Sequence, residues 1–243
     1  MKPSLIMSLF YFSILILFVG CSKEYIKNPT DDFIKKLEKD KTYSVILYDI
    51  DIEGNYSKDY KHQYKIIYEN ETQTADSLTA WYKVPEDFFW LNENNVGMEI
   101  ISKGEDGKIS KIAAPAGFTN YVGNEKYGQW KQDASGTSFW EFYGQFAFMS
   151  MLFNTFTTPV NRGGFDNYNN GYRNKQPYYG QQDASGKATY GTYSTTTEKT
   201  KPSSFNQKFE RIKQNSFQRK VDTKVNRSSG RSSSPGVRSR GGK

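Results

Sequence analysis

Apolar positions along this chain change their period several times, and each change marks an element. Across residues 30–40, Phe33, Ile34 and Leu37 form one apolar stripe, which predicts a short helix. Thr30 is placed to cap it, with Asp31 and Asp32 at the positive end of the dipole and Lys35, Lys36 and Lys39 toward the negative end. The pattern then turns to period two. Over residues 44–52 the alternation puts Ile46, Tyr48, Ile50 and Ile52 on one face, and Val45, Leu47, Asp49 and Asp51 on the other. Glu53-Gly54-Asn55 reverses the chain, residues 60–68 return as a second strand, and residues 78–84 form a third that Pro85 ends. Pro85-Glu86-Asp87 opens a helical turn carrying Phe88, Phe89 and Trp90. Residues 96–103 and 108–113 read as a hairpin around Gly104-Glu105-Asp106-Gly107. The expected fold class is therefore α+β, a small antiparallel sheet with an N-terminal helix, spanning residues 30–120.

Residues 121–160 read as a turn region followed by an aromatic-rich helix. Ser138 and Glu141 have the spacing of a capping box, and Phe139, Phe142, Phe146, Met149, Phe153 and Phe156 recur at steps of three and four. Such a stripe is core against the sheet, a face for a protein partner or self-association, or a membrane-inserted helix. Glu141, Gln145 and Asn154 count against the last. A near-repeat also stands out: Tyr127-Gly128-Gln129 leads to Gln132-Asp133-Ala134-Ser135-Gly136, and Tyr179-Gly180-Gln181 leads to Gln182-Asp183-Ala184-Ser185-Gly186. It marks duplicated turns.

Composition changes the picture most in the last third. Mean hydropathy is −0.78, and no Leu follows Leu152. Residues 161–243 are rich in Asn, Gly, Ser, Thr, Lys and Arg, so they read as low-complexity and largely disordered. Charge is as uneven as hydropathy. Residues 22–130 carry 14 basic and 19 acidic side chains, whereas residues 201–243 carry 12 basic and 2 acidic. A mildly acidic body thus drags a basic tail, which implies an acidic partner for the tail.

The start of the chain has a different logic. Met1-Lys2 precedes an apolar run from Leu5 to Val19 that meets Gly20-Cys21, the layout of a secretory signal over residues 1–20. Leu17-Phe18-Val19-Gly20-Cys21 resembles the lipobox of bacterial lipoproteins, with Phe18 in place of the usual Leu. The resemblance implies cleavage before Cys21, acylation of its thiol, and a lipidated tether over residues 21–29. It also implies a place in the bacterial cell envelope, with the lipid membrane as first partner. Ser22-Lys23-Glu24 partly matches a surface-export signal, which favours the outer membrane or cell surface over the inner membrane. In that setting the tail, with Arg227, Arg231, Arg238 and Arg240, would meet anionic lipid or lipopolysaccharide headgroups, and nucleic acid is not the expected partner. The stretches Tyr121-Val122-Gly123-Asn124, Tyr127-Gly128-Gln129-Trp130 and residues 138–144 resemble uncharacterised bacterial lipoproteins, which implies no activity.

Candidate chemistry is sparse. His62 is the only histidine and sits among Tyr60, Tyr64 and Tyr68, where a packed or surface His is commoner than a catalytic one. Residues 49–55 resemble the start of an EF-hand calcium loop, with Ser57 at the ninth position, but Tyr60 stands where the bidentate Glu belongs. No phosphate-cradling glycine loop and no metal-ligand cluster are seen, so no cofactor or metal is expected. The function expected is a membrane-anchored, non-catalytic binding or assembly module. A lipid-anchored hydrolase or ligand carrier, and a self-associating structural envelope protein, are the alternatives.

Overall fold

A computed structural model describes residues 25–54, 57–156, 160–200 and 202–229. Cys21 and the signal segment lie outside the described residues, as do Asn55, Arg231, Arg238 and Arg240.

Helix α1 (Thr30–Lys36) is shorter than expected, and Pro29 rather than Thr30 occupies its N-cap. Asn28 accounts for the shift: its side-chain oxygen accepts from the Thr30 backbone N–H at 2.9 Å and from the Thr30 hydroxyl at 2.7 Å. Phe33 then drops into the core, edge-on to Tyr64 at 4.9 Å and Tyr82 at 5.3 Å.

The sheet is built on β1 (Thr42–Glu53), which pairs antiparallel with β2 (Asp59–Glu69) over its whole length. Beyond β2 lie β3 (Thr74–Leu78) and β4 (Tyr82–Lys83), and on the other side of β1 lies β5 (Met98–Lys103). Short strands β6 (Ile109–Ser110) and β7 (Ala114–Pro115) both pair with β5. The single expected third strand is therefore two strands, β3 and β4, with residues 79–81 between them. Helix α2 (Glu86–Leu91) follows Pro85, and buries Phe89 and Trp90.

Strand β1 does not keep one alternation. Leu47 pairs with Tyr64 but Asp49 pairs with Gln63, so Tyr48 is an inserted residue. A bulge of one residue exchanges the faces of everything after it. Val45 and Leu47 therefore share a face with Ile50, and Ser44 and Ile46 share the other with Asp49. The expected grouping of Ile46 with Ile50 fails for this reason. The first face takes Tyr64 and His62 from β2 and is covered by α1 and α2, with Phe89 against His62 at 5.3 Å and Tyr60 at 5.1 Å.

The aromatic stretch is not one helix. Ser138–Phe142 is strand β9, the partner of β8 (Gly128–Gln132) in a hairpin. After a 3-10 turn at Gly144–Phe146, helix α3 (Ala147–Phe156) begins. The alternation Phe139-Trp140-Glu141-Phe142 against Gln129-Trp130-Lys131 decides the local choice, since Trp130 packs edge-on to Trp140 at 5.1 Å. Helix α3 covers the second face of the sheet, where Phe156 meets Tyr48 at 5.5 Å and Phe153 meets Tyr121 at 6.3 Å. Gly117 makes this approach possible: its φ is +85°, and a β-carbon there would lie 2.7 Å from the Phe153 ring.

Residues 161–200 were expected to be disordered, and they fold instead. Asn161 caps α4 (Arg162–Asn167) by accepting from the Gly164 N–H at 2.7 Å, and a π turn follows at Tyr168–Tyr172. Phe165, Tyr168, Tyr178 and Tyr190 are buried in a second core around Phe118, which lies 5.5–5.7 Å from three of those rings. The composition is low in aliphatics, but each aromatic ring buries roughly 150–250 Å², enough to order the segment between them. The chain then forms α5 (Thr195–Thr200) and α6 (Ser203–Ser229). Phe209, Ile212 and Ser216 of α6 are buried at helical spacing, and Lys208 reaches both carboxylate oxygens of Asp49 at 2.5 and 2.6 Å. Within the tail expected to be disordered, Ser203–Ser229 is thus a 27-residue helix, and residues 230–243 lie outside the described residues. No described helix is long and apolar enough to cross a membrane.

Candidate functional site

The six residues of the aromatic stripe are divided among three elements, strand β9, the 3-10 turn and helix α3. Met149, Phe153 and Phe156 are buried in the main core, and Phe142 and Phe146 are half-buried against it. Phe139 is half-buried on β9. The stripe expected as a partner-binding face is mostly spent on packing α3 to the sheet, because two of its members belong to a strand. Arg227 lies in the last turns of α6, and the other three arginines of the expected anionic contact lie outside the described residues.

Two titratable groups, His62 and Glu99, are sealed in the interior. His62 has no exposed surface; one ring nitrogen, Nδ1, lies 3.0 Å from the Tyr64 hydroxyl, and burial pushes its pKa down to about 3. Such an imidazole stays neutral and cannot exchange protons with a substrate. Glu99 is buried as fully, and burial pushes its carboxyl up to about 7, against the opposing pull of Thr119, the Gly117 N–H, Arg173 and Ser44. Gly117 N–H donates to one Glu99 oxygen. Both groups hold the packing of loops and strands together.

The calcium-loop resemblance fails on geometry. Asp49, Asp51 and Glu53 lie on the extended strand β1, where residues two apart are spread along one face instead of being gathered around a point as in a calcium loop, and each has its own partner. Asp49 is paired with Lys208, Asp51 accepts the Ile52 N–H at 2.9 Å, and Glu53 pairs with Lys61 at 2.5 Å. Among the described residues no group of three or more His, Cys, Asp or Glu is placed to hold a metal ion.

The near-repeat forms two copies of one turn. Asp133 accepts from the Ser135 N–H, the Ser135 hydroxyl and the Thr137 N–H at 2.9, 2.6 and 2.9 Å. Asp183 accepts from Ser185 N–H, Ser185 hydroxyl and Lys187 N–H at 2.9, 2.6 and 3.0 Å. The flanking pairs correspond too, Gln132 with Ser138 and Gln182 with Ala188. The first turn closes the β8–β9 hairpin. The second stands at the mouth of a groove.

That groove is an open concavity. It consists of two cavities of about 800 and 770 Å³ that share Asn94, Tyr193, Glu210 and Lys213. One wall is the strap of residues 179–194, which is bolted to the loop before β5. Tyr179 donates to the Asn95 side chain at 2.8 Å, Thr192 N–H to the Asn94 carbonyl at 3.0 Å, and Val96 N–H to the Thr192 hydroxyl at 3.0 Å. The opposite wall is α6. Three ion pairs neutralise the walls: Lys187–Glu198 at 2.5 Å, Lys213–Glu210 at 3.9 Å and Lys220–Glu93 at 3.1 Å. The sequence signals for this site were the second Asp-Ala-Ser-Gly turn and the tyrosines around it.

No protein-family model, no curated protein and no solved structure matches this chain. Its geometry is therefore the whole argument for its function.

A second surface completes the candidate regions. The buried stripe of α6 ends at Ser216, and residues 217–224 are all exposed. Phe217 is 71% and Val221 41% exposed, a helical turn apart, with Arg219, Lys220 and Lys224 around them; Asp222 stands among these, Arg219 also meets Glu86 at 3.7 Å, and Lys220 meets Glu93 at 3.1 Å. Apolar groups ringed by cations suit a lipid surface better than a dry protein interface.

Proposed function

We propose that this chain is an envelope lipoprotein, anchored through acylated Cys21, that acts as a non-catalytic binding module. Its C-terminal helix and tail lie against anionic lipid or lipopolysaccharide headgroups. The observation that carries this reading is the exposed half of α6, where Phe217 and Val221 project among basic side chains. Two further points support it. The 12 basic residues of residues 201–243 face only 2 acidic ones. The only histidine is locked away from solvent, which speaks against the hydrolase alternative.

The fold decides how to test it. Deleting everything after residue 200 would strip Phe209 and Ile212 from the core and Lys208 from Asp49. A chain ending at Ser216 keeps those contacts and loses the exposed half. Chains starting at Ser22 retain every described contact, because the first is made by Lys27. Co-sedimentation with phosphatidylcholine vesicles, with and without phosphatidylglycerol, then reads the surface. At about 1 kcal/mol per basic residue, removal of Arg219, Lys220, Lys224 and the residues beyond should weaken binding to anionic vesicles at least ~100-fold. The binding of the longer chain should fall with added salt. Equal binding by both chains, or equal binding to neutral vesicles, would refute the surface contact.

A further inference from the structure

We infer that the groove between the 179–194 strap and α6 is a binding site for a neutral, polyhydroxylated chain, a stretch of glycan. The inference deepens the binding-module reading and rests on it, makes no use of the anchor, and shares Phe217, Lys220 and Val221 of the second cavity with the exposed half of α6.

Shape gives the first part of the argument. Each cavity, about 800 and 770 Å³, falls within the roughly 300–1,000 Å³ that holds a small ligand. The two are joined end to end through Tyr193 and Asn94, so the site is elongated and suits a linear polymer.

Lining chemistry gives the second. Tyr179 and Tyr193, both half-buried, supply aromatic surface, a flat apolar platform for the C–H face of a sugar ring, and the buried Tyr190 and Phe209 back them from the core. Gln182 and Asn206 add amides, each able to donate and accept at once, as a sugar hydroxyl also does. A strap rich in Tyr, Ser, Gly and Gln is adaptable in hydrogen bonding and has little side-chain entropy to lose.

Charge gives the third. Every acidic side chain in the groove walls is met by a lysine of the same walls: Glu93 by Lys220, Glu198 by Lys187, and Glu210 by Lys213. The three pairs are largely exposed, so each is weak, but together they leave the walls with no surplus charge to attract an ionic ligand, and a neutral one leaves all three in place. A peptide is the competing linear ligand. It would gain most by adding to a free sheet edge or by filling deep apolar pockets, and these walls consist instead of a one-bridge turn, a strap and a helix.

The test is affinity electrophoresis of the whole chain in detergent, through gels containing dextran, mannan, xylan or a mixed-linkage β-glucan. Polygalacturonate is the anionic control, and a soluble peptide library is assayed alongside. Gln182 is exposed and Asn206 half-exposed, so the double variant Gln182→Ala/Asn206→Ala retains the fold, which its circular dichroism and thermal midpoint confirm. At least one neutral polysaccharide should retard the wild type, and the double variant should bind it at least about tenfold more weakly. The double variant should keep its binding to anionic vesicles, because Gln182 and Asn206 line only the first cavity and lie outside the Phe217–Val221 surface, which separates this site from the lipid surface. Retardation by none of the neutral polymers, binding confined to polygalacturonate and abolished by salt, or capture of peptides in the groove would each overturn the inference.

Discussion

Burial moves Glu99 and His62 in opposite directions, and the pair gives the molecule a legible pH dependence. Glu99 has an ordinary value of 4.5 and stands at about 7 when folded, so folding favours its neutral form. Its contribution to stability is fully present below pH 4.5 and is lost as the pH rises through 7. His62 goes from 6.5 to about 3, so its contribution is present above pH 6.5 and is lost as the pH falls toward 3. Between pH 4.5 and 6.5 the two slopes oppose each other. Glu99→Gln removes one of them and keeps the shape of the side chain. Urea midpoints measured from pH 4.5 to 8 should show the wild type losing roughly 3 kcal/mol relative to the variant as the pH rises to 7. Parallel curves would mean that Glu99 titrates normally and is not sealed. Glu69 behaves otherwise: burial raises its carboxyl, but Lys126 and Tyr127 outweigh that and hold it below its usual value.

At the scale of elements, the docking of α6 is the sharpest departure from what composition predicts, and one ion pair reports on it. Lys208 and Asp49 are both largely buried and lie 159 residues apart in the chain. Lys208→Met should cost about 3–5 kcal/mol by leaving a buried carboxylate without its cation. Pairing it with Asp49→Asn should recover most of that loss. A single variant as stable as wild type would mean that α6 does not sit on the sheet. The strands were readable because apolar residues alternate, as over Ile46, Tyr48, Ile50 and Ile52. The bulge at Tyr48 was not, since both parities of β1 are apolar and one inserted residue leaves no trace in such a run. In the same way, steps of three and four from Phe139 to Phe156 describe a helix, but they also fit a strand, a turn at Gly144 and a shorter helix. The duplicated Asp-Ala-Ser-Gly turn was the better guide, because it predicted a reversal at each copy. Residues 161–190 were misread through their Asn and Gly content, when Phe165, Tyr168, Tyr178 and Tyr190 decide their fate.

At the scale of the molecule, two aromatic cores share one sheet and its flanking hairpin, and the strap and α6 close over them to leave a groove. The groove was legible only in part: its turn was visible in sequence, but its second wall belongs to a helix hidden in a basic, Ser-rich segment. The exposed half of α6 also lines the second cavity through Phe217, Lys220 and Val221, so the proposed surface contact and the proposed ligand groove share that wall, whereas Gln182 and Asn206 belong to the groove alone. The proposed attachment begins at the other end of the chain. Everything said of an envelope surface depends on Cys21 carrying lipid, which radiolabelled palmitate incorporation into wild type and Cys21→Ala, with membrane fractionation, tests directly. Label and membrane association in the wild type, both lost in the variant, is the predicted result. Absence of label from both proteins would contradict the account and return the N-terminal segment to a plain signal or an uncleaved anchor.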